Sequence, residues 1–333
     1  MKKFINKKKI DVGIVGTGYG NYVILEALNK LKYINKIVIC GRNKSKLIEL
    51  QNKKKIHFYY SSINDFLKQK FTLICLATVP LIQYKILQRI KKDQYKYLFL
   101  EKPLANNLLN SKKIFDKFKK LKSRVAVDFI FLGLKSFIYF KKKIINKKIK
   151  NVKIKWHFQA HHFKKNNNNT WKRNVKFGGG IYYFYLIHIV SYINFFFGRI
   201  VKIKKKTEFV NNLGEVYSVT LDLITSDKIN INLNFNSNSN KTTHSIKVNT
   251  SKKSYSLINN SKDYVKNFKI FITGKKPILD DTFLLRHNYK ICDSRVGPVI
   301  NLINNFLIKK KPTSSIVDAF NATLDLEKLI KER

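Results

Sequence analysis

The sequence predicts an α/β protein in which a doubly wound parallel sheet is followed by an α+β domain with an open, largely antiparallel sheet. Three observations carry that expectation. Short apolar runs alternate with helical patterns through the first third of the chain, and a glycine-rich turn joins the first of these runs to the first helical pattern. Beyond residue 150, strand-like runs succeed one another between Asn-, Ser- and Lys-rich turns.

The elements come in order. Ile10-Asp11-Val12-Gly13-Ile14-Val15 reads as a strand, Gly16-Thr17-Gly18-Tyr19-Gly20-Asn21 as the turn, and residues 22–31 as a helix. Strand, glycine turn and helix in this order form the dinucleotide site of a Rossmann domain. One glycine makes the tight turn, the next lets backbone amides approach a pyrophosphate, and the helix amino terminus supplies a positive dipole. The third glycine of the usual spacing falls on Asn21, with Gly20 one place early.

A second strand over residues 36–40 ends in Gly41-Arg42-Asn43, with no carboxylate at its tip to bind a ribose 2′-hydroxyl. Arg42 can instead accept a 2′-phosphate, so NADP(H) is preferred to NAD(H). After a helix over 44–51 come a strand over 71–77, Ala77-Thr78-Val79-Pro80, a helix over 81–90, and the apolar run Tyr97-Leu98-Phe99-Leu100 ending in Glu101-Lys102-Pro103. Residues just past the carboxyl end of a parallel strand lie in the ligand crevice, which puts Lys102 there. A helix over 109–122 leads to a last strand over 124–131. The division falls near residue 125, giving a dinucleotide-binding domain over 1–125 and a substrate-binding and dimerisation domain over 126–333.

Strands are expected over 152–158, 201–210, 216–224, 228–235, 244–249 and 254–258, then helices over 298–307 and 315–331, with Pro298 at a first helical position and Ser315 or Thr313 as cap. The chain holds 67 Lys+Arg against 20 Asp+Glu, a formal net charge of +47, yet only eight of the basic residues are arginine. The lysines are spread along the whole length with excess Asn, Ile and Phe, as an AT-rich coding sequence gives. No specific nucleic-acid partner is inferred from the charge. No uncharged apolar run of membrane-spanning length is found, the nearest being residues 181–198. The basic start lacks an apolar leader core, so a cytoplasmic location is expected. Cys40, Cys75 and Cys292 read as buried free thiols. His161-His162 has no carboxylate or cysteine at ligand spacing, so no metal is expected. The cluster Asp280-Asp281-Thr282-Phe283, Arg286 and His287-Asn288-Tyr289 reads as a surface turn, more economically than as a reach of Arg286 or His287 into the substrate pocket.

Gly16-Thr17-Gly18-Tyr19-Gly20, Ala77-Thr78 with Pro80, and Glu101-Lys102-Pro103-Leu104-Ala105 stand in the order and register of the Gfo/Idh/MocA oxidoreductases, relatives of glucose-fructose oxidoreductase and inositol dehydrogenase, and the chain resembles that family over nearly its whole length. The resemblance implies that Lys102 points at the reacting oxygen beside the nicotinamide, with Glu101 positioning it. Thr170-Trp171-Lys172, then Gly178-Gly179-Gly180, then His188 resemble the family's second motif, which implies that Trp171 and Lys172 border the substrate. His188 falls on the family's histidine, but Phe184 stands at its aspartate and Leu132 at a common arginine. Tyr185, one turn before His188, is a further proton donor or hydrogen-bond partner, and Tyr182 a lesser one.

The function expected is NAD(P)-dependent hydride transfer between nicotinamide and a carbonyl or secondary alcohol of a sugar, cyclitol or nucleotide-linked sugar. Reduction is favoured because it needs a proton donor rather than a strong base. A homodimer or homotetramer through the second sheet is expected. The alternative, motivated by Phe184 and Leu132, is a non-catalytic dinucleotide-binding sensor.

Overall fold

The structure, a computed structural model, describes residues 9–164, 170–277 and 293–332. Six parallel strands, β1 (Ile10–Val15), β2 (Ile34–Cys40), β3 (Phe58–Tyr60), β4 (Phe71–Leu76), β5 (Tyr95–Glu101) and β6 (Val125–Asp128), lie in the order β3-β2-β1-β4-β5-β6. The strands run apolar because both faces of the sheet are covered. Alternate residues serve two cores, Ile14, Leu73, Cys75 and Phe99 on one side and Ile74, Leu76, Leu98 and Leu100 on the other. Cys40 and Cys75 are free and buried, as expected, whereas Cys292 lies outside the described residues.

The connecting helices are α1 (Glu26–Asn29), α2 (Lys44–Asn52), α3 (Ile63–Phe66), α4 (Pro80–Arg89) and α5 (Leu108–Phe118). Helix α1 is entered through wide, π-type turns over Gly20–Leu25, so the helix expected from residue 22 starts two residues earlier. Asn43, Ser62 and Asn107 cap α2, α3 and α5 by accepting from backbone amides. Helix α5 stops at Phe118 in a single tight turn instead of continuing to residue 122. β3 and α3, three and four residues long, are too short to show a period and were not expected.

β6 ends at Asp128, and the apolar residues after it fold into a tight turn over Ile130–Gly133 instead of extending the strand to residue 131. The cause is tertiary. A Cβ on Gly133 would lie 2.4 Å from the Pro298 carbonyl, so the turn presses against the start of a distant helix. Leu132, at the family's arginine position, is buried in this turn.

The second sheet contains β7 (Ile149–Gln159), β8 (Ile200–Val210), β9 (Val216–Thr225), β10 (Asn230–Asn236), β11 (Asn238–Thr250), β12 (Ser254–Asn259) and β13 (Lys269–Ile272), in the order β13-β12-β11-β7-β10-β9-β8. Only the β7–β10 pair is parallel. The largely antiparallel sheet is therefore as expected, with β13 added at one edge. Its inner face, with Ile154, Trp156, Leu221, Leu233 and Val248, is covered by α6 (Lys135–Ile144) and α8 (Ile187–Phe197), while its outer face carries polar ladders such as Asn232 to Asp222 and Asn249 to Asn151. Helix α6 was not expected, and α7 (His161–Lys164) is one short turn.

Helix α8 continues from wide turns over Tyr182–Leu186. The helical stretch Val175–Phe197 is long and apolar enough to cross a membrane by length and composition, but 61% of its most apolar window is buried inside the protein. It is the core helix between the sheets.

The last helices return to the first domain. Helix α9 (Val296–Ile308) supplies Val299, Ile303 and Phe306 to the β1 side of the parallel sheet. It begins at Val296, so Pro298 is its third residue and not its first, still within the turn whose amides have no intrahelical partner. Helix α10 (Ile316–Lys331), capped by Ser315 in a reciprocal box with Asp318, packs on α5 and α8. Its fully buried Asp325 receives both arms of Arg199, at 2.6 and 2.8 Å, and Lys328 at 2.9 Å.

Candidate active site

A cleft of about 1280 Å³ runs along the carboxyl ends of β1, β2, β4, β5 and β6 and is closed on its far side by residues of the second sheet and by Trp171 to His188. Ligand pockets are typically about 300–1,000 Å³, so this one has room for a dinucleotide and a second small molecule together.

Its nucleotide wall is built from backbone. Gly16 has φ +112°, and a Cβ there would lie 2.3 Å from the Ala77 carbonyl. Gly18 faces open space, which leaves its amide approachable. Gly20, at the entry to the wide turns, packs against Ile14 and Ala77, where a Cβ would meet atoms at 3.1 and 3.3 Å. The glycine that seats helix on strand is thus Gly20, and Asn21 is buried away from the cleft lining. Thr17, Tyr19, Ala77 and Thr78 line the cleft. Arg42 stands exposed on the wall at the end of β2. Pro80 opens α4 off the wall, and its ring meets Gly178, where a Cβ would come within 2.8 Å. These groups fit a dinucleotide, with a tight turn, an open glycine and a helix amino terminus in one cradle.

Lys102 is fixed at the junction of the two domains. The Gln83 amide holds the loop, donating to the carbonyls of Glu101 at 2.7 Å and Pro103 at 3.0 Å. Lys102 Nζ donates to the Phe184 carbonyl at 2.6 Å and lies 4.3 Å from the centroid of the same residue's ring. Burial lowers the ammonium to about 8, opposed by Glu101 and Asp128. The group therefore holds a proton at neutral pH and gives it up readily.

Asp128 is a site residue that the sequence reading missed. It pairs in register with Glu101 at the ends of β6 and β5, is 1% exposed, and accepts from the Tyr19 hydroxyl at 2.9 Å. Its other oxygen is buried with no partner among the described residues. Burial, then the neighbouring Glu101, pushes its carboxyl well above the ordinary range, and burial raises Glu101 too. The rule that placed Lys102 in the crevice misses it, because the apolar run after Asp128 made the strand read on to residue 131.

On the substrate wall the glycine triplet sets the geometry. Gly180 donates to the Lys172 carbonyl at 2.8 Å, and a Cβ on Gly179 would lie 2.3 Å from the Trp171 carbonyl. Trp171, Lys172, Phe184, Tyr185 and His188 all reach the cleft. The wide turns over Tyr182–Leu186 bring the adjacent Phe184 and Tyr185 to it together. Tyr185 sits among Trp156, Phe158 and Phe235, and burial raises its phenol. Tyr182 is absent from the cleft lining and donates to Glu208. His188 lies edge-on to Phe131, its Nδ1 buried without a partner among the described residues. Burial, then Lys102 and His244, holds its pKa far below the ordinary value, so the ring is neutral at neutral pH.

Arg295, in a bidentate pair with Asp293, lies 5.3 Å from the Tyr19 ring centroid; with Tyr264 it completes the wall, and neither residue was expected there. His161 lines the cleft, and no group of three or more His, Cys, Asp or Glu among the described residues could hold a metal. The polar cluster over 280–289 lies outside the described residues.

The pattern of an oxidoreductase family with an NAD-binding Rossmann fold matches residues 10–129, and that of the same family's C-terminal α/β domain matches 141–282. An uncharacterized oxidoreductase of Synechocystis is 22% identical over 338 residues, covering 92% of this chain and 89% of its own. A dehydrogenase of Clostridium difficile is 18% identical, with TM-score 0.76 over 97% of this chain and 99% of its own. The WlbA dehydrogenase of Bordetella pertussis, solved with NADH and UDP-GlcNAcA, is 16% identical, with TM-score 0.76 over 98% and 95%.

Proposed function

The chain belongs to the Gfo/Idh/MocA oxidoreductase family, and on that footing we propose that it is an NAD(P)-dependent enzyme reducing a carbonyl of a sugar-like substrate, with Lys102 as the proton donor. The observation that carries the proposal is the place of Lys102 Nζ, held on the Phe184 carbonyl at 2.6 Å and on a loop fixed by Gln83 at the meeting of both walls, where burial lowers the ammonium to about 8. When bound, the nicotinamide supplies the hydride. Lys102 Nζ donates to the carbonyl oxygen and gives it a proton as negative charge develops there. Neutral His188 and Tyr185 orient the substrate, and Trp171 and Phe184 wall it off from water.

Arg42 reads the 2′-phosphate of NADP(H), which favours NADP(H) over NAD(H). The nucleotide is assigned to residues 1–125, with β6 and α9 completing that domain's sheet and core, and the substrate and a dimer surface to the rest of 126–333, in a cytoplasmic protein. The NADH and UDP-GlcNAcA bound to the WlbA neighbour make a sugar-like ligand the class to test first.

Titration with NADPH and NADH, monitored by nicotinamide fluorescence, tests this reading when keto-sugars are then added to the tighter complex. Oxidation of NADPH by a keto-sugar is expected. Binding without turnover across a broad panel favours the sensor alternative, and no binding at all overturns the dinucleotide reading.

A further inference from the structure

We propose that the substrate carries a carboxylate or phosphate group, and that Lys172 is the residue that reads it. The inference rests on the oxidoreductase reading and names its substrate class. Lys102 and Lys172 approach the same ring, with Nζ atoms 4.3 and 5.4 Å from the Phe184 centroid. None of the ion pairs among the described residues includes either lysine. The other cation at this end of the cleft, Arg295, is answered by both oxygens of Asp293.

The nearby acids do not make up the difference. Glu101 and Asp128 lie side by side at the sheet's edge, raised by burial, and their field acts on Lys102 and not on Lys172. Phe184 gives its carbonyl to Lys102 but only the face of its ring to Lys172, a weak partner for an ammonium compared with a carboxylate. Lys102 is buried and Lys172 stands exposed at the cleft, and two ammoniums this close repel each other unless an anionic group of a ligand lies between them. Lys102 is committed to the reacting oxygen, which leaves Lys172 for a second, anionic group.

The backbone of Lys172 is held in place, and its side chain stays exposed to the cleft. Its carbonyl accepts from Gly180 at 2.8 Å, and the absence of a side chain on Gly179 lets the Trp171-Lys172 backbone sit against the start of the helix. Its ammonium is lowered by burial and by Arg295. Trp171 and Phe184, edge to face at 5.5 Å, give the rest of the ligand apolar walls.

The test uses the full chain saturated with NADPH and matched sugars, glucose against glucuronate and against glucose 6-phosphate, with binding measured by calorimetry. At least one anionic sugar is expected to bind tenfold or more tighter than glucose at physiological salt, and Lys172→Gln is expected to abolish that preference. The glucuronate and phosphate arms show which anion is read. Lys112→Gln, on an exposed residue of α5 outside the cleft lining, controls for general adhesion to a basic protein and is expected to leave the preference intact. Equal binding of neutral and anionic sugars, no sugar binding to a protein that holds NADPH, or a preference unchanged in Lys172→Gln overturns the inference and leaves the oxidoreductase reading standing. Failure to bind NADPH would strike that reading instead.

Discussion

The two walls of the cleft hold their ligand positions by different means. The nucleotide wall is backbone, with Gly16 pressed on the Ala77 carbonyl, Gly18 open and Gly20 seated on Ile14. The substrate wall is side chain, a group of rings from Trp156 to Tyr185 around two lysines and a neutral histidine. Lys102 belongs to both, reaching from the end of β5 to the Phe184 carbonyl. The difference shows where variation is tolerated. A backbone cradle admits almost no change, whereas a side-chain wall can be rebuilt for another substrate on the same fold.

Lys102→Ala is the sharpest way to separate the walls. Turnover should fall by about a hundredfold to ten-thousandfold while NADPH affinity stays within a few-fold, and retained turnover in a steady-state assay would remove Lys102 from the chemistry. The same group sets the pH profile of the wild type. The ammonium is present below its pKa of about 8 and lost above it, so reduction should be flat near neutrality and fall about tenfold per pH unit in the alkaline range. A profile flat to pH 10 would contradict the assignment.

Gly16→Ala against Gly18→Ala tests the backbone wall by itself. At Gly16 both the positive φ and the Ala77 carbonyl oppose a side chain, so more than about 1 kcal/mol of stability should be lost, read from the urea midpoint. Gly18→Ala should keep that midpoint and lose NADPH affinity instead, because its Cβ would occupy the cleft and not the core. Equal effects would mean that the two glycines share one role.

Tyr19→Phe probes the seam. It leaves both oxygens of buried Asp128 without a partner, at a cost of about 1–3 kcal/mol in urea unfolding. No change would show that the cleft hydrates Asp128. Arg42→Ala should give the smallest effect, about tenfold weaker NADPH binding with NADH unaffected, and equal losses for both would deny Arg42 the phosphate.

The same contrast explains what was legible. Strand ends, the glycine turn and Glu101-Lys102-Pro103 are local patterns, and the elements they announce lie within a few residues of where they were expected. Helix α6 was overlooked, and β3 and α3 are too short to carry a period. Tyr182 and Tyr185 look alike on a regular helix, but the wide turns over Tyr182–Leu186 send one to Glu208 and the other to the cleft. Asp128 was hidden because its meaning depends on Glu101 across the sheet and on Tyr19 109 residues away.

Apolar period and glycine stereochemistry act over a few residues, and they alone account for the doubly wound half, the antiparallel half and the placing of Lys102 at a strand end. Contacts between distant segments made Gly20 and not Asn21 the seat of the first helix, broke β6 at Asp128 against α9, and brought Lys102 and Lys172 to one ring with no ion pair to either among the described residues. Those outcomes depend on burial and charge brought together from distant segments, and a buried group's charge state is set by all of its neighbours at once.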